Sequence, residues 1–181
     1  MAELKHIFSY VCGSPNIWSL GGQLLPFCQR CTGLYVGGVV AAVLYALFHP
    51  RPTRRVLALH GILLLQMAPF GYHWVGQNGT VRTLAGQFFA FALIYFLALN
   101  PAAQLGLWKT ERSGQLPSYT LGGLTGIAAL QLAVHRGGAA TGAALAWLGF
   151  AGLLIYAALV LVNFVALPCA IWGLFRRPQG A

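Results

Sequence analysis

The amino-acid sequence predicts an all-α fold: a polytopic membrane helical bundle of about five transmembrane helices, preceded by an N-terminal interfacial or re-entrant segment. Two observations support this prediction. Of the 181 residues, 58% are hydrophobic and only 7% are charged, and the mean hydropathy is +0.70. A soluble domain uses about 25% charged residues to cover its surface. In addition, long apolar runs recur along the chain with basic residues between them, which is typical of membrane spans and their loops.

The segment 1–27 is apolar but interrupted by glycines and prolines. Gly13, Pro15, Gly21, Gly22 and Pro26 fall within a run of about twenty residues. We therefore expect this segment to lie at the membrane interface or to re-enter it without crossing.

The remaining chain predicts five spans within a single integral membrane domain, 1–181. Helices 1–3 occupy residues 28–100, a polar loop follows at 101–117, and helices 4–5 with a basic tail occupy 118–181. The expected spans are Cys31–Phe48, which ends at His49-Pro50, Arg55–Val75 with a kink at Pro69, Val81–Leu99 closed by Asn100-Pro101, Ser118–His135 before Gly137-Gly138, and Ala140–Leu167 before Pro168.

The distribution of basic residues predicts the orientation. With five spans, seven basic residues share one face and four share the other. The more basic face is expected in the cytoplasm, which puts the C-terminus inside and the N-terminus outside. The first set is Arg51, Arg54, Arg55, Lys109, Arg112, Arg176 and Arg177, and the second is Lys5, Arg30, Arg82 and Arg136.

Charge also excludes several classes of protein. Glu3 and Glu111 are the only acidic side chains, so glycosidases with paired carboxylates, Mg²⁺-dependent phosphatases and carboxylate-driven pumps lack their essential groups. The net charge of +9 comes from short loops that act as topology signals. We expect no nucleic-acid partner; the expected partners are the lipid bilayer and possible additional membrane subunits or a homodimer.

Cysteines provide the sharpest chemical signal. Cys28 and Cys31 form a C-x-x-C at the start of the first predicted helix, where the helix dipole and Arg30 favour thiolates. Cys12 lies upstream, in the interrupted segment, whose chain reversal could bring it back to the pair. Cys169 is expected at the opposite membrane face, as a bystander.

Further polar residues are expected at the membrane face of the three cysteines. His73 is a candidate metal ligand, because imidazole and thiolate together suit zinc or copper. The candidate binding residues are Arg30, Gln77, Arg82, His135 and Arg136, for which an interfacial belt of basic and polar side chains is the alternative interpretation.

The stretch Pro26–Gly37 reads P-F-C-Q-R-C-T-G-L-Y-V-G. It resembles the P-x-C-x-R-C-T-G-x-Y-x-G signature of a family of prokaryotic predicted membrane proteins of unknown function. The resemblance implies a bacterial or archaeal cytoplasmic (inner) membrane and places Cys12 on the upstream family cysteine. It places His73 where the family has an aspartate, and Gly13 where it has a histidine after the first cysteine.

Three functions are compatible with these residues. The first is a transition-metal site, with Cys12, Cys28, Cys31 and His73 as ligands of zinc or copper, and iron as a further candidate. The second is a thiol–disulfide oxidoreductase linked to a quinone, with Cys28 and Cys31 as the catalytic pair. The third is a non-catalytic subunit of a membrane complex, with the cysteines as a structural disulfide. The sequence leaves open whether the protein is an enzyme.

Overall fold

The computed structural model describes residues 2–10, 12, 15–72, 74–104 and 116–175. Most of these residues are helical. In chain order the elements are helix α1 (Ala2–Ser9), strands β1 (Ile17–Leu20) and β2 (Gln23–Cys28), and helices α2 (Gln29–Phe48), α3 (Arg54–Leu65), α4 (Met67–Gly71), α5 (Gly79–Gln104), α6 (Leu116–Arg136) and α7 (Ala139–Phe175).

The N-terminal segment differs from the all-α prediction, because it contains a short helix and an antiparallel β-hairpin. The strands pair Leu20 with Gln23 across the turn and Ile17 with Cys28 at the far end. Gly21 and Gly22 form the turn with φ values of 55° and 79°, the left-handed conformation that tight hairpins require. The glycines that made this segment unsuitable for a membrane span therefore serve to reverse the chain.

Among the described residues, three helices are long and apolar enough to cross a membrane: Gln29–Phe48, Gly79–Ala103 and Ala139–Val165. The count of about five spans is thus not confirmed among the described residues. The predicted second span is divided into α3, with 12 residues, and α4, with five, separated at Gln66. A proline ring clashes with the carbonyl four residues earlier, so Pro69 accounts for the end of α3 at Leu65.

Two other predicted helix ends lie inside longer helices. α5 continues through Pro101 to Gln104, and α7 continues through Pro168 to Phe175. Pro101 has no N–H for the carbonyl of Leu97, but the side-chain amide of Asn163 on α7 donates to that carbonyl at 2.7 Å. A tertiary hydrogen bond therefore replaces the helical one that the proline removes.

Helix α2 lies at the centre of the bundle and contacts α5, α6 and α7. Small residues bring the backbones together: Gly33 faces Thr83 and Gln87 of α5, and Gly152 of α7 faces the Tyr35 carbonyl. On α6, the glycine pair Gly122/Gly126 faces Leu44 and Val40 of α2. These glycines pack within the bundle.

The bundle has two chemically different ends. The one we call the cysteine end carries the hairpin, the start of α2 at Cys28, the start of α5 at Gly79 and the end of α6 at His135. The opposite end, which we call the arginine end, follows α2 and carries the exposed Arg51, Arg54 and Arg55. The 20 residues of α2 separate the two ends by about 30 Å, which is the thickness of a bilayer's hydrocarbon core.

Candidate metal centre

Three cysteines from three pieces of the chain meet at the cysteine end. The sulfur atoms of Cys12, Cys28 and Cys31 all lie within 4.8 Å of one another. Cys28 is buried, with 6% of its surface exposed, whereas Cys12 and Cys31 are partly exposed. The cluster therefore lies at the edge of the fold, where an ion can reach it.

The position of Cys28 follows from the junction between β2 and α2. Cys28 is the last residue of the strand and the N-cap of the helix, and its sulfur accepts the backbone N–H of Cys31 at 3.5 Å. The Thr32 hydroxyl donates to the Cys28 carbonyl at 3.0 Å and secures this first turn. The C-x-x-C spacing thus places one sulfur on the cap and the other one turn later.

Cys12 reaches the pair because α1 packs against the hairpin. Phe8 of α1 is fully buried, and its ring lies 4.8 Å from that of Phe27 and 5.4 Å from that of Tyr35. The backbone N–H of Cys12 donates to the Phe8 carbonyl at 2.8 Å, which continues the helical turn. The Cys12 sulfur then accepts the backbone N–H of Cys28 at 3.4 Å.

The electrostatic surroundings favour negative charge on the sulfur of Cys28. The Cys31 thiol hydrogen-bonds to Cys28, and this bond is the largest cause that lowers the pKa of Cys28, while burial acts in the opposite direction. The Cys12 thiol and the backbone N–H groups of Cys31 and Arg30 lower that pKa further. The positive end of the α2 dipole lies at the same place.

Arg30 and Gln77 join the start of α2 to the segment after α4. The guanidinium of Arg30 donates to the Phe70 carbonyl at 3.2 Å and to the Gln77 side-chain oxygen at 3.4 Å. The Gln77 side-chain amide donates to the carbonyls of Phe70 and Val75. His73, the predicted fourth ligand, lies outside the described residues.

The other predicted binding residues lie at the cysteine end, around the start of α5. The His135 ring bonds to the Thr80 hydroxyl at 2.9 Å and contacts the Trp18 ring edge-on at 5.2 Å. Arg82 is half-buried in the first turn of α5, and Arg136 is exposed at the end of α6. The ring contact with Trp18 places His135 beside the hairpin.

The sequence did not predict the hydrogen bonds through which Thr83 of α5 holds the hairpin and the start of α2. The Trp18 indole N–H donates to the Thr83 hydroxyl at 2.9 Å, and that hydroxyl lies 3.0 Å from the Gln29 carbonyl. These bonds attach the hairpin and the first turn of α2 to α5. The strand pattern around Trp18 was the available signal, but the glycines and prolines of the segment obscured it.

Comparison with known proteins agrees with the membrane prediction. No curated protein and no solved structure matches the chain. Cys28 and Cys31 lie inside the segment that matches a family model, and Cys12 lies four residues before it. The apolar helices and this match together indicate a membrane location. Residues 16–96 match the family described as Predicted membrane protein (DUF2085), and the resemblance to a membrane protein family of unknown function is thereby confirmed.

Proposed function

We propose that this membrane protein holds a transition-metal ion at its cysteine end, with Cys12, Cys28 and Cys31 as thiolate ligands. The convergence of three sulfurs within 4.8 Å is the observation that carries the proposal. They come from the segment after α1, the end of β2 and the first turn of α2, so a local motif alone does not explain their meeting.

The separations between the three sulfur atoms are close to those of a metal centre. Zn–S bonds of about 2.3 Å hold sulfurs roughly 4 Å apart in a tetrahedral site. Shifts of less than about 1 Å would bring the three sulfurs, now within 4.8 Å, to that spacing. The backbone N–H groups of Cys28 and Cys31 donate to the sulfurs of Cys12 and Cys28, and hydrogen bonds of this kind stabilise metal-bound thiolates.

The fourth ligand in this proposal is His73. Arg30, at the start of α2, donates to the Phe70 carbonyl, and Gln77 donates to the carbonyls of Phe70 and Val75. Three thiolates and one imidazole suit zinc or copper, and iron is a third candidate. The ion would fasten α1 to the hairpin, and an open coordination position would add a catalytic or carrier role.

The proposal includes the orientation of the protein in the cytoplasmic membrane of a bacterium or archaeon. Arg51, Arg54 and Arg55 are exposed at the arginine end, which supports a cytoplasmic location for that end. The metal centre would then face outward, with the N-terminus outside. Topology reporters fused after Ala181 or near Gln115 should give cytoplasmic signals, and external signals at both positions would reverse the assignment.

Elemental analysis of the purified protein tests the metal centre. Cys28→Ser should lose the bound metal, because one of three thiolates disappears. Cys169→Ser should retain it, since residue 169 is 30 residues along α7 from Ala139, or about 45 Å. Equal metal content in the wild-type protein and Cys28→Ser would refute the proposal.

A thiol–disulfide oxidoreductase is the second candidate, favoured by the closeness of Cys28 and Cys31 at a helix N-terminus. The dithiol would lose two electrons and two protons to form a disulfide, and a quinone accepting them would become a quinol. A thiol count with and without reductant separates the candidates: a reducible disulfide in a metal-free protein favours the redox function. Unchanged metal and thiol behaviour in Cys28→Ser would favour a non-catalytic subunit.

A further inference from the structure

A groove of about 230 Å³ lies between α2, α5 and α7 at the arginine end of the bundle. It runs along the helices for about 10 Å, which is the rise of the chain from Ala42 to His49, the residue that caps α2. Pro101 and Ala102, near the end of α5, line the groove at the same end as His49. Ala46 is exposed at its edge, so the groove opens to the outer surface of the helices, where lipid surrounds the protein.

The lining of this groove changes from apolar to polar along its length. The part towards the middle of the bundle includes the aliphatic side chains of Ile94 on α5 and Ile155 on α7. The part at the arginine end includes the imidazole ring of His49, and the exposed Arg51 follows two residues later. An amphiphile whose chain lies along the helices would meet apolar surroundings first and polar, cationic surroundings at its headgroup.

The first turn of α3 brings two more cations to this end of the groove. Val56 of α3 packs in one apolar cluster with Ala102, which belongs to the groove wall. The preceding Arg54 and Arg55 are exposed, and their guanidinium groups form no hydrogen bond or ion pair with any residue in the described part of the chain. With 11 basic and two acidic side chains in the sequence, most of the cations cannot pair with a carboxylate. The charge at this end therefore suits an anionic ligand.

We propose that this groove binds an anionic phospholipid, with an acyl chain between α2, α5 and α7 and the headgroup among Arg51, Arg54 and Arg55. Basic pockets between membrane helices bind anionic headgroups, and a guanidinium group donates in parallel to two phosphate oxygens. A zwitterionic phospholipid offers the same chain without the net negative charge, so the arginines distinguish between the two lipids. Lipid binding is independent of the metal centre, which lies at the other end of the bundle.

Photolabelling of the full-length protein in phosphatidylcholine nanodiscs tests this site. Two trace probes carry the same diazirine-bearing acyl chain, one on phosphatidylglycerol and the other on phosphatidylcholine, and mass spectrometry identifies the labelled peptides. The phosphatidylglycerol probe should label residues 42–49 and 155–159, the groove walls of α2 and α7, at least about tenfold more than the phosphatidylcholine probe. Equal labelling of these walls by the two probes overturns the proposal, as does phosphatidylglycerol labelling confined to other peptides.

One matched pair of variants tests the groove itself. Ala46→Trp should fill the open edge and reduce phosphatidylglycerol labelling of the α7 wall by about tenfold or more. Leu47→Trp, at the next residue of α2, is also exposed but does not line the groove, and should label like the wild type. Equal labelling of the α7 wall in Ala46→Trp and Leu47→Trp would place the lipid outside the groove.

A second matched pair tests the recognition of charge. The double variant Arg54→Gln with Arg55→Gln should reduce phosphatidylglycerol labelling by about tenfold in correctly inserted protein, because each lost cation weakens the attraction, and should leave phosphatidylcholine labelling unchanged. Arg136→Gln removes an exposed cation at the cysteine end and should label like the wild type. Wild-type labelling in the double variant would show that these arginines do not hold the headgroup. The comparison of the two probes on the wild-type protein stays decisive if a variant fails to fold or insert.

Discussion

Replacing Gly33 with alanine should loosen the contact between α2 and α5. An alanine Cβ at this position would lie 2.8 Å from the Gln87 nitrogen and 2.9 Å from the Thr83 carbonyl carbon, and nearer still to the Thr83 carbonyl oxygen. Ordinary contact begins near 3.4 Å, and these neighbours are backbone atoms that cannot turn aside. The two helices must therefore separate by at least about 0.6 Å. Overpacking of this kind destabilises the folded protein by roughly 1–3 kcal/mol.

The matched control is Gly61→Ala in α3, where an added Cβ meets nothing within 4 Å. This substitution should stabilise by up to about 1 kcal/mol, because alanine has the higher helix propensity. In detergent, melting followed by size-exclusion chromatography should show Gly33→Ala about 2–12 °C below the wild type and Gly61→Ala up to about 4 °C above it. Equal melting temperatures for Gly33→Ala and the wild type would refute the close approach of α2 and α5.

The remaining predictions concern the cysteine cluster and the arginine end. Cys12→Ser should reduce bound metal as Cys28→Ser does while leaving the helical circular dichroism unchanged, since Phe8 still packs α1 against the hairpin; full metal content would show that Cys12 is not a ligand. The double variant Arg54→Glu with Arg55→Glu should lower the amount of correctly inserted protein, measured by protease accessibility, because it reverses a topology signal. Metal per inserted molecule should not change, and its loss in correctly inserted protein would place the functional face at the arginine end.

The spacing of the cysteines along the chain made part of the candidate site predictable. Cys28 and Cys31 are three residues apart at a helix start, so their shared location follows from helical geometry. The meeting with Cys12 depends on a hairpin turn and on Phe8 packing against Phe27 and Tyr35. Those contacts join residues distant in sequence, and hydropathy patterns carry no record of them.

One helix end was predictable from the local sequence, and another depended on a contact with a neighbouring helix. The end of α2 at Phe48 was predicted from the following His49-Pro50, where His49 adopts a left-handed conformation with φ 42°. Pro101 misled the prediction because the Asn163 amide compensates for its missing donor. A proline's effect on a helix thus depends on whether a neighbouring helix supplies the lost hydrogen bond.

The sequence by itself determined that this protein faces lipid and that Cys28 and Cys31 share one helix turn, because composition decides whether a surface can face water and spacing decides which side chains share a turn. Tertiary structure alone decided how Cys12 reaches the pair, that the predicted second span divides at Gln66, and that His60 and Tyr119 meet across α3 and α6. Each of these depends on packing between elements that are distant in sequence, and the local sequence does not specify which elements meet.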